Sequence, residues 1–175
     1  MGLSIGGYLS HARRAFGWMA RMQLEDGCWY SAYMQGVPAD RTRDANMSSY
    51  IAVGVFHYYL ITADIDFIRR MWPTVSAAIE FALRLQTSEG EIHWAISPEG
   101  QVDPMALLTG SSSIYMSLKC ALAIAKLLGR PALRWEKALI KLGDAIRQKP
   151  HLFNIAKSRY SMYWFYPILA GVLTG

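Results

Sequence analysis

The chain alternates between two kinds of apolar pattern, and this alternation limits what it can fold into. From Trp135 to Ile146 the apolar residues recur at every third or fourth position, while Lys137, Lys141 and Asp144 occupy the other side. Such a stripe describes a helix with one face on protein and the other in water. The stretch from Tyr50 to Ile61 has no polar side at all, and a helix apolar all round is expected to be buried all round. Helical segments of the two kinds follow one another along the chain: outer, inner, outer, inner, outer, inner.

Capping and breaking residues set the expected bounds. The first helix runs from about Ser10 to Met22 and the second from Ala45 to Ile61, with Asp44 as its N-cap. The third opens near Asp64, is interrupted at Pro73 and restarts toward Gln86, since proline suits a first helical turn. The fourth covers Ser112 to Leu128, with Ser111, Ser112 and Ser113 capping it and Gly129 ending it. The fifth covers Pro131 to Gln148 and the sixth Ser158 to Leu173. No segment sustains period-two alternation, so no strand is called for.

The reading is therefore all-α: a single domain over residues 1–175 in which antiparallel helical hairpins form about half of an (α/α) toroid. An internal repeat fits it. Trp18-Met-Ala-Arg-Met-Gln23-Leu-Glu-Asp-Gly27 is similar to Phe81-Ala-Leu-Arg-Leu-Gln86-Thr-Ser-Glu-Gly90, and the same distance separates the two glutamines and the two glycines. Each copy is an outer helix ending in Gln, followed by an acidic turn and a Gly. A complete ring needs more hairpins than three. The 53% hydrophobic content against 18% charged fits apolar edges covered by more protein, either a partner segment or a second copy in a homo-oligomer.

Charge and cysteine usage narrow the function. The net charge is +5, but the basic residues are dispersed and no nucleic-acid motif occurs, so no nucleic-acid partner is expected. Cys28 and Cys120 stand alone, outside any metal-binding spacing. No apolar run is long enough for a membrane span, and no charged segment precedes an apolar core as in a signal peptide. The expectation is a cytoplasmic protein with buried thiols, no metal, no cofactor and a small-molecule substrate.

In a toroid the pocket lies where the inner helices begin, so the loops 28–44, 91–111 and 150–160 should converge there. They carry Trp29, Tyr33, Arg43, Asp44, Asn46, Glu91, His93, Trp94 and Asp103. Aromatic rings beside carboxylates and arginine suit sugars, whose apolar faces stack on rings and whose hydroxyls pair with charged groups. Each residue also has a structural alternative. Asp44 can be a cap, Asn46 its capping partner, and Glu91, Glu99 and Asp103 solvated loop acids. His57, on an apolar helix, reads as a hydrogen-bonded core histidine.

Two resemblances bear on these residues. The run Asp64-Ile-Asp-Phe67 followed by Trp72-Pro73-Thr-Val75-Ser-Ala-Ala78 resembles the glucoamylase-like branch of the six-hairpin glycosidases. Gly90-Glu-Ile92-His-Trp94 and Tyr115-x-x-Leu118-x-x-Ala121 continue the likeness. It implies carbohydrate as substrate. It also puts a general-acid Glu directly after the Trp of the Gly-x-Ile-x-Trp turn, where this chain has Ala95, and a catalytic base beyond Gly175. Glu91 and Asp44 are then the candidate catalytic acids, with Trp29, Tyr33, Arg43, Asn46, His93, Trp94 and Asp103 as substrate-binding residues. Separately, Asp44-Ala-Asn46, Gly54-Val-Phe-His57, Leu108-Thr-Gly110-Ser-Ser-Ser-Ile114-Tyr115 and Tyr163-Trp-Phe-Tyr166-Pro167 resemble a bacterial toroid family labelled prenyltransferase. The Gln23-x-x-x-Gly27-x-Trp29 turn is similar to the Gln-Trp motif of triterpene cyclases. This likeness implies an isoprenoid substrate and makes the chain the middle part of a larger toroid. The acid-rich diphosphate-binding motifs that such chemistry uses are missing from the sequence. A non-catalytic helical scaffold is the third reading.

Overall fold

The computed structural model describes residues 1–173, so Thr174 and Gly175 of the expected domain lie outside the described residues. After a short helix α1 (Gly2–Ile5), the amphipathic helices α2 (Leu9–Met22), α5 (Ile65–Arg84) and α7 (Leu133–Gln148) form an outer layer. The inner layer comprises α3 (Ala45–Ser49), α4 (Ile51–Thr62), α6 (Leu108–Leu127) and α8 (Ser161–Leu169). Helix α6 sits centrally, packed against α4 and α8 on its flanks and α5 and α7 behind. Its buried side chains are mostly small (Ser112, Ser113, Ser117, Ala121, Ala125), which lets these four helices and α3 approach it closely.

Several expected boundaries shift, each for a local reason. Pro73 does not interrupt the third helix. Helix α5 runs through it because the ring lies on the exposed face, while Phe67, Ile68, Met71, Val75, Ala78 and Ile79 hold both halves in the core. The second helix breaks at Tyr50 into α3 and α4. The serine triplet does not cap the fourth helix: α6 starts at Leu108, and Ser112 Oγ donates back to the Leu108 carbonyl at 2.7 Å. The sixth helix is shorter than expected, its approach occupied by 3₁₀ turns at Pro150–Leu152 and Ile155–Lys157. Asp44 and Asp64 do cap their helices, accepting from Met47 N and Phe67 N at 2.8 Å each.

Short strands are present where none was called for. β1 (Ala32–Met34) and β2 (Val37–Asp40) form a hairpin turned by Gln35 and Gly36, both at positive φ. β3 (Arg43–Asp44), β4 (His93–Ile96) and β5 (Val102–Ala106) form an antiparallel sheet in that order. These strands are too short for period-two alternation to register, and β3 pairs with a strand from a distant loop.

Helices α4 and α8 are not buried all round. Leu60 and Ile61 on the first, and Met162, Trp164, Ile168 and Leu169 on the second, stand exposed. Among the described residues no helix packs beyond either edge, so the pattern that suits burial meets no neighbour there.

The repeated Gln–Gly units fix the outer layer. Gln23 Nε2 donates to its own turn at Gly27 O (2.7 Å) and to Thr74 O on the next outer helix (2.9 Å). Gln86 Nε2 does the same to Gly90 O and Ala138 O, both at 3.0 Å. The two glycines have φ of +91° and +112°, and each lies against the next helix's backbone. A Cβ on Gly27 would collide with the Ala77 carbonyl, and one on Gly90 would sit 2.5 Å from the Lys141 carbonyl oxygen. Gly129 is also at positive φ but faces open space. Gly27→Ala and Gly90→Ala should therefore each lower the unfolding free energy by about 3 kcal/mol, against about 1 kcal/mol for Gly129→Ala, read from urea midpoints at constant slope.

Candidate functional site

The loops that enter the inner helices converge, and Asp44 is at the junction. Its carboxyl caps α3, and the residue lines two adjoining cavities. The smaller, about 60 Å³, lies among α3, β4 and the start of α6, lined by Asn46, Trp94, Ser111, Ile92, Leu107 and Ile114 beside Asp44. The larger, about 250 Å³, is aromatic, walled by Trp18, Trp29, Tyr30 and Tyr33, with Met47 and Ser48 from α3. A third cleft joins Lys157, Tyr160 and Tyr163 to Leu107 and Thr109, and so brings the 150–160 loop to the same pole.

Strand pairing determines what stands beside Asp44. In the three-stranded sheet Asp44 is the register partner of Ala95, and Ala95 in turn is that of Asp103. The position that holds an acid in glucoamylase-like proteins is thus a buried alanine with a carboxyl residue on each neighbouring strand. The two carboxyls are tuned apart. Burial pushes Asp44 above the usual carboxylate range, only partly offset by the Met47 and Asn46 N–H groups. The Met105 N–H holds Asp103 below that range. The Trp94 indole favours the same direction without reaching hydrogen-bond geometry.

The expected site residues divide between the cavities and the framework. Asp44, Asn46 and Trp94 line the small cavity, and Trp29 and Tyr33 the aromatic one. Trp29 also serves the frame, donating Nε1–H to Met19 O at 2.8 Å, while Tyr33 stacks edge-on against Trp18 and accepts from Tyr30 N. Glu91 is a correction: it lines neither cavity. It is buried at the second Gln–Gly turn, where its carboxylate accepts from Thr87 Oγ1 at 2.6 Å. It is the repeat counterpart of Cys28, whose thiol donates to Asp26 and is pushed up by burial. Arg43 is a second correction. Its guanidinium is spent on Asp26 at 2.8 Å, tying β3 to the first turn. His93 and Asp103 lie on the sheet, half-buried, and line neither cavity. His57 is half-buried, with an Nδ1 that has no partner, so it is not the hydrogen-bonded core residue expected.

Trp18, Met47 and Thr109 line the cavities without having been counted as binding residues, and Ser111, at the end of a loop expected to reach the pocket, lines one where it was read as a cap. Trp18 was masked by its place at the end of an amphipathic helix, and Ser111 by the resemblance of a serine run to a cap. Among the described residues no group of three or more His, Cys, Asp or Glu could hold a metal ion, and no helix is long and apolar enough to cross a membrane.

Fold and cleft together define a segment of an (α/α) helical-hairpin toroid whose inner pole carries a half-buried carboxyl between an aromatic cavity and a smaller one of mixed lining. The comparisons with known proteins agree with that architecture. No family model matches the chain. It is 46% identical, over all of its 175 residues, to an MMP endo-(1,4)-3-O-methyl-α-D-mannosidase of Mycolicibacterium hassiacum, and spans 48% of that protein, about half the length of the relative it matches. A solved rhamnosidase from Klebsiella oxytoca with rhamnose bound shares the fold: TM-score 0.67 and 20% identity, over 93% of this chain and 34% of that one.

The raised Asp44 carboxyl sets a pH test. A group that holds its proton more tightly when folded stabilises the fold at low pH, and that contribution is lost as pH rises from about 3.8 through its folded value. Asparagine keeps the cap but cannot ionise. The melting temperature of Asp44→Asn should therefore gain on wild type as pH rises from 3 to 7, a trend that Asp26 and Asp103, held low in both proteins, cancel out of. A constant difference across that range would refute it.

Proposed function

We propose that the chain forms the substrate-binding part of a glycosidase toroid that acts on a mannose-based polysaccharide. The observation that carries this reading is Asp44: a half-buried carboxyl at the inner pole, raised above the usual carboxylate range by desolvation, beside an aromatic cleft and opposite Ala95 in the sheet. Such a carboxyl suits the general acid of glycoside cleavage, which must be protonated at working pH to donate to the departing glycosidic oxygen. Asp103, held below the usual carboxylate range on the same sheet, suits hydrogen bonds from sugar hydroxyls, with His93 beside it. Trp29 and Tyr33, with Trp18 and Tyr30, offer faces on which a pyranose ring can stack.

The name of the mannosidase relative supports α-(1,4)-linked 3-O-methylmannose units as the substrate class. The second carboxyl of the reaction belongs, by the glucoamylase-like resemblance, beyond Gly175. The exposed apolar faces of α4 and α8 fit further helical hairpins or a second copy of the chain. The isoprenoid reading has no gathering of acidic groups to support it among the described residues.

The test is hydrolysis of a 3-O-methylmannose oligosaccharide by the chain joined to the segment that supplies the second carboxyl, with and without Asp44→Asn. The variant should keep its fold and substrate affinity while kcat falls by about 10²–10⁴. Wild-type rates in Asp44→Asn would sink the assignment of Asp44. Absence of both binding and turnover in the wild-type protein would sink the carbohydrate reading.

A further inference from the structure

The small cavity beside Asp44 is unusual for the state of its polar atoms. Asn46 Oδ1, Trp94 Nε1 and Ser111 Oγ are all buried, all without a hydrogen-bond partner, and all belong to residues that line it. Ser111 is only 1% exposed. A buried polar group left unpaired is destabilising, so three around one cavity require an explanation. The start of α6 adds to them, because Leu107 gives no side-chain cap to the first amides of that helix. The start of α3 is adjacent: a Cβ on Gly110 would lie 3.7 Å from Asn46 Cβ.

The three atoms define a complement. Asn46 Oδ1 needs a donor, the Ser111 hydroxyl can act as either, and Trp94 Nε1–H, which lies near the Asp103 carboxylate without reaching hydrogen-bond geometry, can take a better-placed acceptor. A hydroxyl is the smallest group that supplies one donor and two lone pairs. The remaining wall is Ile92, Leu107 and Ile114 with Asp44, Thr109 and Gly110, so apolar surface lies beside the polar groups and suits a carbon that carries the hydroxyl. At about 60 Å³ the cavity exceeds the roughly 10–15 Å³ that one water requires, and so has room for a carbon bearing that hydroxyl.

We propose that this cavity, framed by Asn46, Trp94 and Ser111, is a specificity pocket that receives one hydroxyl-bearing carbon of a sugar ring stacked in the neighbouring aromatic cleft. The inference rests on the carbohydrate reading above. Asp44, shared by both cavities, marks where the ring crosses from one to the other. Specificity follows from unpaired groups: a sugar lacking the one hydroxyl leaves Asn46, Trp94 and Ser111 buried and unsatisfied, whereas loss of a solvent-facing hydroxyl changes little.

The experiment is calorimetric titration of the protein with methyl α-D-mannopyranoside and its four monodeoxy analogues. One analogue should bind at least about tenfold more weakly than the parent and the other three within about threefold. In Ser111→Ala and Trp94→Phe that gap should narrow by about threefold or more. Thermal melts without ligand separate lost recognition from lost fold, since Ser111→Ala removes an unsatisfied hydroxyl and should melt no lower than wild type. If the parent binds and all four analogues bind alike, the pocket proposal is overturned and the carbohydrate reading stands. If no mannoside binds, the carbohydrate reading falls and takes this one with it.

Discussion

The structure depends on a glutamine amide that makes two hydrogen bonds at once. Gln23 and Gln86 each end an outer helix and each bridge their own turn to a carbonyl inside the next outer helix. The bridge forms only because the turn glycine brings backbone against backbone, at a distance that any Cβ would prevent. The acidic residue before each glycine adds an ion pair, Asp26 to Arg43 at the start of β3 and Glu89 to Lys149 at the end of α7, both at 2.8 Å. Successive hairpins are thereby held at a fixed spacing, and the chain leaves each turn in a fixed direction toward the pole where the inner helices begin.

That direction gives the pole its chemistry. The strand β3 is tied by Arg43 to the first staple turn, while β4 begins just after the second, where His93 N donates to Leu85 O. The sheet they form sets Asp44 opposite Ala95. Asp44 then has two tasks, as helix cap and as partly buried carboxyl, and they oppose each other: the cap hydrogen bond favours the charged form, desolvation the neutral one. Desolvation prevails even though the side chain is only half-buried. Stability and the proposed function therefore meet in one side chain.

Much of the fold was legible in the residues themselves. Trp135 to Ile146 could only be a one-sided helix, and α7 is that helix. The repeat of Gln23–Gly27 in Gln86–Gly90 was visible as spacing, and its hydrogen bonds are superimposable in kind. Asp44 and Asp64 were readable as caps because capping is settled within four residues. Expectations that needed non-local information fared worse. Pro73 stays inside α5 because packing on either side outweighs the one hydrogen bond that proline forgoes. Glu91 was counted as a catalytic candidate on its position in a loop. It became part of a turn because the second staple buries it against Thr87.

The sequence by itself determined the helical-hairpin class, the layer to which each helix belongs and the two Gln–Gly turns, because periodicity, capping and glycine placement act over a few residues at a time. The tertiary structure alone decided which polar groups face a cavity and which are consumed in the frame. Asn46, Trp94 and Ser111 come from three separate segments, and nothing local to any of them records the others. Their meeting beside Asp44, unpartnered and out of water, follows from hairpin spacing set by two distant glutamines, a long-range constraint that no window of residues contains.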